Sequence, residues 1–135
     1  MWCHCTTFEP YQKRSATAIK MATGKMATVE QVKKVAEANA DGFTFDIRAE
    51  RMVTSGIVAA YAATQDTFGF ERLAYVVEHA ANNGGVVGGW LNRDNARFYF
   101  DSCRVFTDLA EAMAFGKAEG QIAIFDLDQM KEVRL

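Results

Sequence analysis

One proline, Pro10, and two histidines are all this 135-residue chain holds of those types, and no apolar run is long enough to cross a bilayer. The formal net charge of −2 excludes the strong basic field that non-specific phosphate-backbone binding needs. Cysteine is scarce as well. Of the three, Cys3 and Cys5 lie too close to pair comfortably with each other, so a secreted disulfide framework is not expected. His4, Glu9, Lys13 and Arg14 interrupt the first twenty residues, which rules out the apolar segment of a signal peptide and makes the cytoplasm the expected location.

What is present is an ordinary globular balance, half apolar and about a quarter charged, in a chain of one-domain length. Residues 1–27 carry the proline and no sustained period, and read as an N-terminal arm before a single domain over 28–135. Thr28 and Gln31 have capping-box spacing, and Val29, Val32, Val35 and Ala36 recur at helical intervals, predicting a helix from Thr28 to about Asn39. Phe43, Phe45 and Ile47 alternate as in a half-buried strand. Residues 52–64 mix alanine with β-branched side chains and read as a second strand, in a hairpin with the first.

Asp66-Thr67 precedes a second helix with Phe70, Leu73, Val77 and Ala80 on one stripe, stopped by Gly84-Gly85. Val86–Leu91 and Arg97–Phe106 form an aromatic hairpin about the polar turn Asn92–Asn95. Thr107 or Asp108 caps a third helix ending at Gly120; Ile122–Phe125 is a further strand, and the last ten residues suit a returning one. The order α-β-β-α-β-β-α-β predicts the α+β class: a mainly antiparallel sheet of about five strands with about three helices on one face.

Four groups of residues invite chemistry. Cys3, His4 and Cys5 are soft metal ligands by type, but their spacing is poor for a structural zinc site. His79 and Cys103 suggest a thiol–imidazole pair, without a local group to lower the thiol pKa. Asp126 and Asp128, with Asp101 and Asp46, could gather around a divalent ion. Gly84–Gly89 is glycine-rich, yet a helix precedes it and a strand follows, the reverse of a phosphate cradle. No catalytic residue and no cofactor is assigned on these grounds. The expected contact surface is instead the sheet face carrying Trp90, Arg97, Tyr99 and Asp101.

The stretch from Gly89-Trp90-Leu91-Asn92 through Phe98–Phe106 to Asp108–Leu127 resembles small α+β proteins of gut-bacterial phages and conjugative elements, some similar to antirestriction and polyvalent-protein-associated domains. The resemblance covers residues of about 86 to 128 and implies a genetic setting, with no catalytic motif carried over. The resulting expectation is a non-enzymatic interaction module of a mobile element, of anti-defence type, meeting a protein partner or itself. A small metal- or nucleotide-dependent enzyme or ligand binder using Asp126 and Asp128 is the alternative, and a single-strand nucleic-acid binder the third.

Overall fold

The computed structural model describes the backbone from residue 16 and the side chains from residue 27. Among the described residues three helices, α1 (Ala16–Ala38), α2 (Leu73–Asn82) and α3 (Leu109–Ala118), accompany seven strands: β1 (Gly42–Asp46), β2 (Arg51–Met52), β3 (Ile57–Ala60), β4 (Val86–Asn92), β5 (Arg97–Phe106), β6 (Ala123–Asp126) and β7 (Lys131–Arg134). The strands form one sheet in the order β2-β1-β4-β5-β3-β6-β7, every neighbouring pair antiparallel. The class is α+β, as the sequence predicts, but the sheet has seven strands rather than about five, and their order differs. Among the described residues no helix is long and apolar enough to cross a membrane.

Two of the differences have plain causes. α1 begins at Ala16, so Thr28 lies inside the helix and does not cap it; the residues before it continue the helix without the apolar stripe that signals one from sequence. The segment 52–64 breaks into β2, β3 and a 3₁₀ turn over Ala62–Thr64. Only β2 forms the hairpin with β1, through Phe45–Met52 and Asp46–Arg51, whereas β3 crosses to the far side of β5 and pairs with β5 and β6. Ile57, Val58 and Ala59 are buried there, as a strand with neighbours on both edges requires.

Strand register sorts the side chains. Phe43, Phe45, Val87, Phe100, Ile57, Phe106 and Ile124 point to the face that carries all three helices. Under α1 and α2 lies a core of Val32, Ala36, Leu73, Val76, Val77 and Ala80 against Phe43, Phe45, Val87 and Phe100; under α3, Ala112 meets Ile57, Ala59, Phe106 and Ile124. Gly89 is the gap in this wall. Phe43 and Phe98 stack across it with ring centroids 6.1 Å apart, and a Cβ there would come within 2.3 Å of the Phe43 ring.

The three hairpin turns share one construction. Asp46, Asn92 and Asp126 each accept a backbone N–H from within the turn that follows, and each four-residue turn ends on a left-handed residue, Glu50, Ala96 and Met130 respectively. α3 is capped as predicted, with Asp108 accepting from the Glu111 N–H at 2.9 Å.

Candidate functional site

Among the described residues no helix packs on the face of the sheet opposite α1, α2 and α3, and Trp90, Arg97, Tyr99 and Asp101 all lie on it. Trp90 stands directly opposite Tyr99 across the β4–β5 ladder, Asn92 opposite Arg97, and Gly88 opposite Asp101. The indole and phenol rings stack at 4.9 Å with an interplanar angle of 17°. Trp90 is nevertheless 44 % exposed. Tyr99 is held from its other end by Asn95, whose Nδ2 donates to the phenol oxygen at 2.9 Å.

Phe68 completes the cluster and was not legible in the sequence. Residues 61–69 continue the line of β3 along the edge of β5 in irregular form, with Tyr61 N–H donating to Ser102 O, Phe100 N–H to Thr67 O and Gly69 N–H to Phe98 O. This run replaces the helix start expected at Asp66-Thr67; the helix proper begins at Leu73 after a 3₁₀ turn over Phe70–Arg72. It sets Phe68 edge-on to Tyr99 at 5.6 Å and brings the Arg97 guanidinium over the Phe68 ring at 4.4 Å. The result is one continuous stack: Trp90, Tyr99, Phe68, Arg97.

Asp101 lies beside this stack. Burial pushes its carboxyl up to about 6, opposed by a hydrogen bond from Trp90 and reinforced by the charge of Asp66. Asp66 itself occupies a left-handed position in the irregular run, with φ of 62°. On the same face Cys103 is buried beside Gly88, in an apolar patch with Val58 and Val86. Burial and the nearby Asp101 push its thiol well above the usual range, partly offset by a hydrogen bond from the Gly88 backbone, which makes it a packing residue and a poor nucleophile.

The thiol–imidazole pair does not form, since Cys103 points to the face opposite the helices and His79 to the helix face. His79 Nδ1 instead meets Ser102 Oγ at 2.7 Å, both buried, and Thr64 Oγ1 accepts the Ser102 N–H at 2.9 Å. Tyr61 lies edge-on to the imidazole at 5.0 Å. Burial lowers the His79 pKa, against the charge of Glu119. With Ser102 fully buried, this pair satisfies polar groups inside the core and offers nothing to a substrate. Sequence spacing does not reveal it, because it joins the last turn of a helix to the middle of a strand 23 residues away.

Asp126 is the last residue of β6 and Asp128 lies in the turn after it, so the two do not share a strand face. Each side chain is tied to a backbone amide, Asp126 to Gln129 at 3.1 Å and Asp128 to Gly56 at 3.3 Å. Among the described residues no three His, Cys, Asp or Glu side chains are grouped to hold a metal. Cys3, His4 and Cys5 lie outside the described residues. Compared with known protein families, curated proteins and solved structures, the chain matches none.

Proposed function

We propose that the chain is a non-enzymatic protein-interaction module that works in the cytoplasm, as an anti-defence accessory of a phage or other mobile element, by presenting the Trp90 end of the β4–β5 hairpin to a protein partner. The observation that carries this reading is the Trp90–Tyr99–Phe68–Arg97 stack, whose leading ring is 44 % exposed. An exposed tryptophan and arginine with a half-buried tyrosine, held by one another, lose little conformational entropy on docking and are the residue types that dominate interface energies. The mobile-element setting rests on the sequence resemblance alone.

The test is affinity capture from host lysate, comparing the wild-type chain with a Trp90→Ala/Tyr99→Ala double variant whose fold is checked by circular dichroism. A protein retained by the wild type and lost with the variant supports the reading. Equal capture by both, or none by either, sinks it. Light scattering on the purified chain separates a foreign partner from a second copy meeting the same face.

A further inference from the structure

The other end of the β4–β5 hairpin opens on a cavity of about 690 Å³, between the β1–β2 turn, the β2–β3 loop and the loop after α2. Its lining includes Asp46, Arg48, Arg51, Thr54, Ser55 and Asn83. Arg48 is fixed in an unusual way for an exposed arginine. Its Nη2 donates at 2.9 Å to both Ala81 O and Asn83 O, the free carbonyls at the end of α2, and its guanidinium lies on Gly85, where a Cβ would come within 2.9 Å of Cζ. Gly85, one of the glycines that stop α2, therefore also makes room for the cation. With only Nη2 engaged, Nε and Nη1 have no partner among the described residues.

Arg51, on the two-residue edge strand, makes no ion pair among the described residues. Asp46 is the one carboxylate among the described residues lining the cavity, and its Oδ1 already accepts the Arg48 and Ala49 N–H groups. Arg104 also borders the cavity, but its guanidinium lies 4.9 Å over the Phe106 ring, on the helix side, and is not counted. Two positive charges, one of them immobilised before any ligand arrives, thus meet exposed hydroxyls in a space larger than a single oxyanion fills.

We propose that this cavity is a binding site for a phosphate-bearing small molecule, with Arg48 and Arg51 taking the phosphate oxygens and Thr54 and Ser55 lying along the remainder of the ligand. A guanidinium fork matches phosphate or carboxylate oxygens, and two of them match a dianion better than a monocarboxylate. The carbonyl end of α2 would repel an anion, and Arg48 neutralises that end. The site does not depend on the open-face stack.

The test is an NMR titration of the full chain with inorganic phosphate, pyrophosphate and acetate, following the backbone amides of Thr54, Ser55 and Gly84. Saturable shifts are expected for phosphate and pyrophosphate, with acetate weaker. Arg51→Gln is expected to weaken pyrophosphate about tenfold or more, the effect of losing a charge-assisted hydrogen bond. Lys34→Gln, the same charge change on the exposed side of α1, is the control and is expected to leave affinity unchanged. Absence of saturation up to about 10 mM pyrophosphate, a range that would detect even millimolar binding, overturns the proposal. So does acetate binding as tightly as phosphate, or equal weakening by Arg51→Gln and Lys34→Gln.

Discussion

Replacing Asp101 with asparagine should make the protein more stable at neutral pH and no more stable in acid. The folded carboxyl titrates at about 6, against 3.8 for the group free of its surroundings. Below the lower value both folded and unfolded chains hold the proton, and Asp101 contributes no pH dependence. Between the two, the folded state keeps a proton the unfolded chain has released, so stability falls as pH rises. The loss is complete once pH passes the folded value, and amounts to about 3 kcal/mol. Asparagine keeps an oxygen to accept the Trp90 hydrogen bond and carries no charge to desolvate. Urea unfolding of both proteins from about pH 4 to pH 7.5 gives the comparison, other carboxylates cancelling in the difference. The two should coincide near pH 4 and diverge until the variant leads by up to about 3 kcal/mol. A variant no more stable than wild type at neutral pH would refute the claim that Asp101 is held charged at a cost beneath the aromatic stack.

Four further outcomes can be checked by the same denaturation. Gly89→Ala drives a methyl into the Phe43 and Phe98 rings and should cost about 1–3 kcal/mol, the usual penalty for overpacking a core. Ser102→Ala leaves His79 Nδ1 without its buried partner and should cost a similar 1–3 kcal/mol, roughly the desolvation penalty of an unsatisfied polar group. Because burial lowers the His79 pKa, its contribution is present above its ordinary 6.5 and lost as pH falls through that value toward the folded one; this acid-side slope should vanish in His79→Gln. Ala96, at φ of 61°, should gain up to about 1 kcal/mol on replacement by glycine, less the extra freedom glycine gives the unfolded chain.

The parts of the fold that were legible in the sequence are those decided by neighbours in the chain. The aromatic hairpin declares itself by alternation and a polar turn, α3 by Asp108 and Gly120, and the end of α2 by its glycines. What local pattern cannot carry is the choice of a distant partner. Ile57–Ala60 reads as a strand, but nothing in those residues says that Phe106 and Phe125 will flank it instead of Phe45. The same limit hid Phe68 and Asp66, which reach the site through an irregular run that Tyr61, Thr67 and Gly69 tie to β5 by backbone hydrogen bonds. Trp90, Arg97, Tyr99 and Asp101 could be placed on one face because period two in a well-marked hairpin is enough to do so.

The placement of β3 bears on how the chain can be made. β1–β2, β4–β5 and β6–β7 are each closed by a short turn, so each can form as soon as its own residues have left the ribosome. β3 alone pairs with no strand next to it in sequence: one of its edges waits for Cys103–Phe106 and the other for Phe125 and Asp126. Until Phe125 and Asp126 have emerged, Ile57–Ala60 is an apolar strand with an open edge, the kind of segment that invites pairing with another chain. A nascent chain stalled after α3 would already hold the helix-covered half of the sheet while still offering that edge to whatever lies nearby.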